Sequence, residues 1–424
     1  MSFLLRLAFR SAWNRRGTLG LVLASIALST ALLWTLEGLR RDLRSSFSQA
    51  VSGTDLVVGA RSGSVQLMLY AVFRVGGATN GISMDSVRAV AAHRAVAWTV
   101  PISLGDSYRG FPVLGTTTGY FQHFAYGDRQ PLAIDSGRAF TGQLDGLYEA
   151  VLGAEVAQTL GHRLGDRITL SHGTGATPSV EHADKAFTVT GILQRTGTPV
   201  DRTVHVSLQA LQAIHLDWVG GAPMPGVRIS AEDARKFDLE PRQVTAALVG
   251  LKSRAAVFTV QRFVLEYREE PLMGVLPGVA LDELWEALGL GERALQLVCA
   301  LVALVSLAGL VATVLAGLNE RRRELAVLRA MGAGPLDVLW LLVLEGAVVT
   351  SAGAAVGLLV ALGAQALAGP VLQARFGILL QMGLPAATQW AVLAAVLVAG
   401  MLASLLPAWR AYRLSLADGL SPRL

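Results

Sequence analysis

Residues 17–36 read GTLGLVLASIALSTALLWTL, and none of these side chains is charged. A helix needs about 20 apolar residues to cross about 30 Å of hydrocarbon. The stretch therefore predicts a transmembrane helix near the start of the chain. A cleavable signal peptide is the alternative, because Ala27, Ser29 and Ala31 loosely resemble a cleavage site. The length of the run, and the lack of a clear Ala-x-Ala at its end, favour the transmembrane helix.

Three more apolar runs follow, at residues 294–318, 338–367 and 390–406. The whole composition agrees with membrane insertion, since 52% of the residues are hydrophobic and 16% are charged, against about 25% charged in soluble proteins. We predict a membrane protein with four transmembrane helices, one before and three after a long intervening block.

The block between the first and second apolar runs has a different pattern. Short β-rich pieces are punctuated by glycine and proline, namely DLVVGA (55–60), RITLSHG (167–173), FTVTGIL (187–193) and VHVSL (204–208). Amphipathic helical stretches lie between them, for example residues 83–92 and 154–160. We predict a folded α+β domain outside the membrane. Cys299, the single cysteine, lies in an apolar stretch, so no disulfide holds this domain together.

Arginine placement predicts the orientation, because cytoplasmic loops of membrane proteins have an excess of Lys and Arg. Arginines precede the first run, fill the loop after the second and follow the fourth: Arg6, Arg10, Arg15, Arg16, Arg321, Arg322, Arg323, Arg329, Arg410, Arg413 and Arg423. Both termini are therefore expected in the cytoplasm. Arg40, Arg41 and Arg44 lie on the other side, but long translocated domains follow the rule weakly. The net charge of +5 is ordinary for such a protein and gives no sign of nucleic-acid binding.

The predicted organisation has nine parts. In chain order they are a cytoplasmic amphipathic N-terminal helix (1–16), a first transmembrane helix with its stalk (17–50), the outer α+β domain (51–290), a second transmembrane helix (291–318), a short cytoplasmic helix (319–335), a third transmembrane helix (336–367), an outer loop (368–388), a fourth transmembrane helix (389–410) and a cytoplasmic tail (411–424). The N-terminal helix alternates apolar and arginine residues, which is typical of a helix lying in the lipid interface.

The loop after the second apolar run is the most informative segment. Residues 319–346 read NERRRELAVLRAMGAGPLDVLWLLVLEG. Leu325, Leu328 and Met331 are spaced by three, and the glycines and proline at 332–335 end the pattern. These features predict a short amphipathic helix. The residues alone leave two interpretations open: a solvated turn helix, or a surface for a cytoplasmic partner.

The run from Glu320 to Ala333 resembles the cytoplasmic coupling helix of the FtsX-like, or MacB-type, permeases of ABC transporters. Four stretches are similar to the periplasmic core domain of that family: VLGTTTGYF (113–121), VLGAEVAQTLG (151–161), LGDRITL (164–170) and FTVTGIL. The ending PAWRAYRLSLADGL (407–420) and the arrangement of one plus three transmembrane helices are also similar.

This resemblance implies a multi-pass protein of the bacterial inner membrane that works by mechanotransmission. Its transmembrane helices would act as levers between a cytoplasmic ATPase and the periplasmic domain, for export or extraction of a substrate or lipoprotein. It implies two ATPase subunits, a second permease copy as a homodimer, and a periplasmic partner protein. The residues implied in ATPase coupling are Glu320, Arg321, Arg322, Arg323, Glu324, Leu325, Leu328, Arg329 and Gly332, with the two leucines packing into a groove of the ATPase.

The chain itself is not expected to be an enzyme. A P-loop ends in Gly-Lys-Ser/Thr, yet Lys185, Lys236 and Lys252 are the only lysines and none follows a glycine. No Gly-x-Ser-x-Gly or His-Glu-x-x-His motif occurs either. We therefore expect no catalytic residue and no cofactor in this chain, with ATP and Mg bound by the partner ATPase.

Small residues in the third apolar run predict close helix packing. Gly353 and Gly357 form a Gly-x-x-x-Gly pattern. Two interpretations stay open: contact with a second copy, or packing within the subunit. Glu345, in the same run, is costly in lipid and is expected to face protein or the interface, in a structural role.

All seven histidines lie in the outer domain, and no pair has the i, i+4 spacing of a helical metal site. The densest group of histidine and acidic residues lies near residues 172–184, but its spacing is too weak a signal for us to assign a metal site to it. His172, His182 and Asp184 are the candidates there, against a solvated loop. Two alternative functions remain open: an FtsX-like regulator of a periplasmic hydrolase, and a complex that serves metal homeostasis, which the histidine distribution alone suggests.

Overall fold

The computed structural model describes residues 16–77, 80–173, 182, 184–219, 222–320, 327–376 and 385–412. The chain divides into two compact units, and each is described by itself. We call Met1–Asp42, Leu288–Val371 and Leu380–Leu424 the helical unit, and Leu43–Ala287 with Leu372–Leu379 the sheet unit. Residues 1–15 of the predicted N-terminal helix, 377–384 of the predicted outer loop and 413–424 of the predicted tail lie outside the described residues.

The described helices are numbered α1 to α11. They are α1 (Arg16–Gln49), α2 (Ser64–Ala71), α3 (Met84–Ala91), α4 (Gly119–His123), α5 (Ala154–Leu160), α6 (Leu208–Ile214), α7 (Ala231–Ala234), α8 (Val257–Leu265), α9 (Pro277–Glu320), α10 (Pro335–Phe376) and α11 (Ala387–Tyr412). Short 3-10 helices span Leu144–Gly146, Pro199–Arg202 and Arg254–Ala256.

Four of these helices contain segments long and apolar enough to cross a membrane. The segments are Leu19–Asp42, Pro277–Ala316, Pro335–Val371 and Ala387–Tyr412. The predicted class, four transmembrane helices split one and three around an α+β domain, is confirmed. Helix α1 covers the predicted transmembrane helix and its stalk (17–50) as far as Gln49, whereas α9 begins at Pro277, well before the predicted start at residue 291.

An apolar cluster from all four long helices forms the core of the helical unit. Its buried members are Leu19, Val22, Ile26, Leu310, Val314, Val338, Leu342, Val343, Val349, Ala408 and Ala411. Polar contacts are added between α1 and α9, where the Ser306 hydroxyl lies 2.6 Å from that of Ser25 and 3.0 Å from that of Ser29. Small hydroxyl residues allow helices to approach closely and also supply a hydrogen bond.

Charged and aromatic side chains join one end of α1 to α9 and α11. Arg40 pairs with Glu292 of α9, and Arg41 donates to the Oε1 atom of Gln389 at 3.3 Å. The indole ring of Trp34 meets that of Trp390 edge to face, with centroids 6.0 Å apart. These contacts fix the relative rotation of the three helices at that end of the helical unit.

The described strands are numbered β1 to β17. They are β1 (Leu56–Ala60), β2 (Ile82–Ser83), β3 (Val96–Tyr108), β4 (Phe111–Thr116), β5 (Ala125–Tyr126), β6 (Gln130–Pro131), β7 (Ile134–Gly137), β8 (Glu149–Leu152), β9 (Arg167–Ile168), β10 (Ser171–His172), β11 (Phe187–Leu193), β12 (Val204–Ser207), β13 (Trp218–Val219), β14 (Ala222–Pro223), β15 (Gln243–Val244), β16 (Ala246–Leu251) and β17 (Leu272–Val275).

A mixed sheet of 11 strands organises the sheet unit, in the order β17-β1-β16-β3-β4-β12-β8-β11-β7. Two short strands lie off this path, β10 beside β3 and β9 beside β11. Most neighbours are antiparallel, but β12 pairs with β4, and β11 with β8, in parallel. Parallel pairing requires crossover connections, and helices such as α5 supply them.

Strand β3 pairs with two partners in succession on one edge. Strand β16 pairs with it from Val96 to Ile102, and β10 pairs with it at Asp106 and Ser107. On the other edge the register with β4 shifts between Leu104 and Ser107. Such an irregularity redirects side chains locally. It lies next to Asp106, which is important for the site described below.

Helix α6 follows β12 directly. The Ser207 hydroxyl accepts a hydrogen bond from the Ala210 amide at 3.0 Å, which caps the helix at its start. Its inner face, including Ala210, Ala213 and Ile214, is buried in an apolar cluster with residues of β4, β8, β11 and β12. The helix ends at Ile214, and the next residue, His215, caps it, so the position of His215 is fixed by a capped and packed element.

Candidate functional site

The predicted coupling residues are only partly described. Glu320 ends α9, and Arg321, Arg322, Arg323, Glu324 and Leu325 lie outside the described residues. Residues 327–330 are helical and turn at Gly332, whose φ of +102° suits glycine. The Ala333 amide donates to the Leu328 carbonyl at 3.1 Å, which closes the turn. The predicted stop at 332–335 is where helix 327–330 ends.

Leu328 and its neighbours face in different directions. Leu328 is half-buried and packs on the apolar cluster of the helical unit. Val327 and Met331 are 54% and 72% exposed. The apolar surface open to a partner in the described part of this segment is therefore formed by Val327 and Met331. Met331 belongs to the apolar pattern in the sequence, but neither residue was among the predicted coupling residues. Arg329 is half-buried and makes an interaction of its own.

Helix α10 begins immediately after this turn. Pro335 is its first residue, and the Asp337 carboxylate accepts a hydrogen bond from the Gly334 amide at 2.8 Å. Proline at the first position and an acidic residue in the first turn both stabilise a helix start. The segment is thereby joined to α10 by a short and well-defined connection.

The small residues of α10 pack inside the subunit. A Cβ added at Gly353 would lie 2.9 Å from Ile26 Cγ2, and one added at Gly357 would lie 2.8 Å from Thr30 Cβ. Both glycines thus contact α1. On another face, Gly346 approaches Ser404 of α11, and Gly400 of α11 approaches Thr350. Glu345 is 2% exposed and engaged in an interaction.

In the sheet unit, three histidines and one aspartate come together. His172 lies directly opposite Asp106 in the register of β10 with β3. Its Nδ1 atom is 3.1 Å from the Oδ1 atom of Asp106 and 3.1 Å from Nε2 of His215. Nε2 of His215 lies 3.4 Å from the same Oδ1. One ligand atom from each of Asp106, His172, His182 and His215 lies within 4.8 Å of the others, and we call these four residues the histidine cluster.

The histidine cluster perturbs the titration of its members. Burial alone would raise the pKa of Asp106, but hydrogen bonds from His172 and His215 outweigh it and lower that pKa to about 2. Burial, together with the charge of His215, lowers the pKa of His182 to about 4. Burial would also lower the pKa of His215, yet its hydrogen bond with Asp106 raises it. His182 is therefore a neutral imidazole, and Asp106 a carboxylate, at neutral pH.

Two of the three sequence candidates for a metal belong to this cluster. His172 and His182 are members, whereas the Asp184 carboxylate lies 3.1 Å from the Nζ atom of Lys185 and is not a member. The missed members are Asp106 and His215. Asp106 is in a long strand without a local motif, and only the pairing of β10 with β3 brings it to His172.

The remaining histidines serve the packing of the sheet unit. His205 is fully buried beside Tyr120 and Phe121, and burial lowers its pKa to about 3. His162 bridges the Tyr108 hydroxyl at 2.9 Å and the Asp166 carboxylate at 3.1 Å. His123 is exposed and stacks on Trp98, and His93 packs beside Phe263.

Comparison with protein families agrees with this architecture. The family model of the MacB-like periplasmic core domain matches residues 18–261, which is more than half of the chain. The model of the FtsX-like permease C-terminal region matches residues 297–416. The fold and the order of its parts thus define a permease subunit of an ABC transporter, located in the bacterial inner membrane.

The chain belongs to the FtsX/MacB-type family of ABC transporter permeases. Members of this family work with a cytoplasmic ATPase. Most of the sheet unit, residues 43–261, lies within the match to the family's periplasmic core domain, so this unit is the periplasmic domain.

Individual relatives are distant. The chain is 24% identical over 224 residues to the lipoprotein-releasing system transmembrane protein LolC of Neisseria meningitidis serogroup B, a match that covers 52% of this chain and 48% of that protein. The chain thus spans about half the length of the curated relative it matches.

Two solved structures are similar to parts of the chain. The periplasmic region of MacB from Actinobacillus actinomycetemcomitans matches 55% of this chain and 94% of its own, with 10% identity and a TM-score of 0.34. The extracellular domain of the noncanonic ABC-type transporter YknZ from Gram-positive bacteria matches 52% of this chain and 99% of its own, with 12% identity and a TM-score of 0.31.

Proposed function

We propose that this permease works by mechanotransmission, with residues 320–332 as the site of ATPase coupling. ATP-driven closure of a separate ATPase dimer would push on this segment, and the long helices would pass the motion to the periplasmic sheet unit. The observation that supports this proposal is the two-sided environment of helix 327–330. Leu328 packs into the core of the helical unit while Val327 and Met331 are exposed.

A lever needs a rigid connection at its inner side. Leu328 shares the cluster that unites α1, α9, α10 and α11, and the short turn at Gly332 leads directly into α10. A force applied to the exposed face is therefore transmitted to the packed helices instead of being absorbed by a flexible loop. Close-packed interiors transmit strain because they have low compressibility.

The contact with the ATPase is assigned to both charged and apolar residues. The first half of the segment is mostly charged and ends in one leucine: Glu320, Arg321, Arg322, Arg323, Glu324 and Leu325. The second half includes Arg329 and Gly332. An amphipathic helix that docks in a groove uses apolar anchors at spacings of three or four residues. Val327 and Met331 have that spacing and exposure, so we add them as anchors and assign Leu328 to the inner side.

The complete complex would hold two permease copies and two ATPase subunits, with both permease termini in the cytoplasm. Its cargo would be a molecule taken from the outer face of the membrane, for export or extraction. A lipoprotein is one such cargo, since the relative LolC belongs to a lipoprotein-releasing system. Gly353 and Gly357 pack against α1 of the same subunit, so we do not assign them to the contact between the two permease copies.

ATP hydrolysis by the permease, co-expressed with the ATPase of the same organism and reconstituted in lipid, tests this proposal. Two variants are compared with wild type: Arg322→Glu with Leu325→Asp, and Val327→Asp with Met331→Asp. Each pair removes anchors of the proposed contact, and interface anchors contribute about 2 kcal/mol or more. We expect ATPase binding to weaken at least about 30-fold and permease-dependent hydrolysis to fall with it.

A matched control places the same kinds of change on the periplasmic side. Arg228→Glu with Leu144→Asp alters an exposed arginine and a leucine that is 52% exposed, both in the sheet unit. This control should bind and stimulate the ATPase like wild type. If both coupling variants also retain full binding and hydrolysis, residues 320–332 form only a turn helix and the proposal is rejected.

A further inference from the structure

We propose that the sheet unit binds one divalent transition-metal ion of the zinc type through Asp106, His172, His182 and His215. This inference is independent of the ATPase coupling described above, because it depends only on residues of the sheet unit.

The spacing of the donor atoms suits a tetrahedral ion. Zinc–nitrogen bonds of about 2.0–2.1 Å place neighbouring donors about 3.3 Å apart in a tetrahedron. The three distances among Asp106 Oδ1, His172 Nδ1 and His215 Nε2 are 3.1, 3.1 and 3.4 Å. These three atoms already form one face of such a tetrahedron. The ligand atom of His182 lies within 4.8 Å of the others, so a small movement completes the set.

The hydrogen bonds within the cluster leave polar atoms unsatisfied. His182 is 1% exposed and Asp106 is 4% exposed. Nε2 of His182 and Oδ2 of Asp106 are both buried, and neither has a hydrogen-bond partner among the described residues. A buried polar atom without a partner is costly, and an ion is one of its ordinary explanations. A metal bound by the imidazole of His182 would account for its unpartnered Nε2 atom, and the Asp106 carboxylate would contribute Oδ1 to the same ion.

The backbone sets the tautomer of one ligand. The Nδ1–H group of His215 donates to the Leu211 carbonyl at 2.8 Å, within the last turn of α6. In the neutral imidazole the lone pair is then on Nε2, which is the atom that faces Asp106 and His172. Histidine ligands of metals usually have such a partner on the second ring nitrogen, because it fixes the ring orientation and strengthens the donor.

A buried ion pair and an indole ring support the other members. Nζ of Lys185 lies 3.0 and 3.1 Å from the two carboxylate oxygens of Asp217, which joins the segment after His182 to the segment after His215. The Trp218 ring packs against the imidazoles of His172, His182 and His215, at centroid distances of 5.1, 4.5 and 5.7 Å. Asp184 and Asp217 both pair with the ammonium of Lys185 and so reduce its repulsion of a bound cation.

The donor set selects the kind of metal. Calcium and magnesium prefer oxygen ligands, so three imidazoles exclude them as the preferred ions. Imidazole with one carboxylate suits zinc and its neighbours in the first transition row. The side chains of His172 and His215 are 34% and 26% exposed, and a cleft lined by Ser103, Gly105, Leu208 and Gln212 opens beside them. An ion therefore has a path from solvent to the cluster.

The test is metal binding by the full chain in detergent micelles, purified without a polyhistidine tag. Zinc is titrated in competition with a chromogenic chelator, and cobalt(II) is added separately to report the coordination geometry. We expect one zinc ion per chain and the strong visible absorption of tetrahedral cobalt. His215→Ala and His172→Gln should each weaken zinc binding at least about 10-fold, since even supporting residues of metal sites change affinity by that factor.

His123→Ala is the matched control, because it removes an exposed histidine of the same unit outside the cluster. It should bind zinc like wild type. Circular dichroism checks the fold of each variant, and if His215→Ala does not fold, His172→Gln decides, since its side chain is partly exposed. The proposal is overturned if wild type binds no zinc, if a folded cluster variant binds as tightly as wild type, or if cobalt gives only the weak octahedral spectrum.

Discussion

The helical unit and the sheet unit are stabilised by different kinds of contact. In the helical unit, glycines approach neighbouring side chains closely, as Gly346 approaches Ser404, and serine hydroxyls meet inside the helix packing, as Ser25 meets Ser306. In the sheet unit, ionisable groups far apart in sequence are buried together, as in Lys185 with Asp217. The first unit is therefore expected to respond mainly to volume, and the second mainly to charge and pH.

The largest effect is expected from breaking the buried ion pair of the sheet unit. Lys185→Met leaves the Asp217 carboxylate, which is 8% exposed, without its ammonium partner. Removing one partner of a buried pair costs about 3–5 kcal/mol of folding free energy. Hydrogen exchange of peptides from β11 and β12, measured in the full chain, should report that loss.

Lys236→Met is the matched control, because Lys236 pairs with Asp233 on the surface and its side chain is 75% exposed. Its exchange should remain near that of wild type. Equal protection from hydrogen exchange in Lys185→Met and Lys236→Met would show that the stability of the sheet unit does not depend on buried charge. The proposed difference between the two units would then be wrong.

Acid should destabilise the sheet unit through His205. Burial lowers the pKa of His205 to about 3, while an unfolded histidine titrates near 6.5. Below pH 6.5 the unfolded chain takes up a proton that the folded chain refuses, so stability falls with pH until about pH 3. At pH 4.5 this loss amounts to about 3 kcal/mol relative to pH 8.

Other groups of the sheet unit also titrate in this range, so the variant His205→Leu isolates the effect. The difference between its stability and that of wild type should change by this amount between pH 8 and pH 4.5, in favour of the variant at low pH. Parallel pH profiles of the two proteins would assign the acid sensitivity to other residues.

In the helical unit, a single added methyl group should have a measurable cost. Gly346→Ala places a Cβ against the Ser404 side chain, whereas Gly309→Ala adds the same atom where no other atom lies within 4 Å. Overpacking costs about 1–3 kcal/mol, and we expect that loss for Gly346→Ala alone. Unfolding of the reconstituted protein by a denaturing detergent measures the difference, and similar stability of the two variants would contradict tight packing between α10 and α11.

The smallest expected effect is the loss of the cap of α6. Ser207→Ala removes the hydroxyl that accepts from the Ala210 amide, at a cost of about 1 kcal/mol. Ser207→Gly should cost only a few tenths of a kcal/mol, because glycine tolerates the cap position. Hydrogen exchange of α6 distinguishes the two variants, and an equal loss in both would indicate a packing role for Ser207 instead.

The membrane architecture was predictable because its signal is local. Each transmembrane helix requires one uninterrupted apolar stretch, such as residues 17–36, and does not depend on distant residues. Several elements of the sheet unit were also recognisable within a few residues. FTVTGIL is β11 (Phe187–Leu193), and the helical stretch 154–160 is α5 (Ala154–Leu160). Alternating or helical periodicity predicts such elements well.

The histidine cluster was only half predictable because its members meet through tertiary structure. His172 and His182 are near in sequence, but Asp106 joins them through strand pairing and His215 through the end of α6. A shift of one residue in the register of β10 would place Ser171 opposite Asp106 and turn His172 to the other face. Sequence does not specify that register. Asp184, although close in sequence, is directed to Lys185 by the buried ion pair.

The position of Trp218 makes this region observable without a label. Indole emission is sensitive to nearby imidazolium groups and is quenched by paramagnetic ions such as cobalt(II) and copper(II). The Trp218 ring lies within 6 Å, centroid to centroid, of three imidazoles. A version of the chain in which the other tryptophans are replaced would therefore report, through its intrinsic fluorescence, each change in protonation or ligation of the histidine cluster.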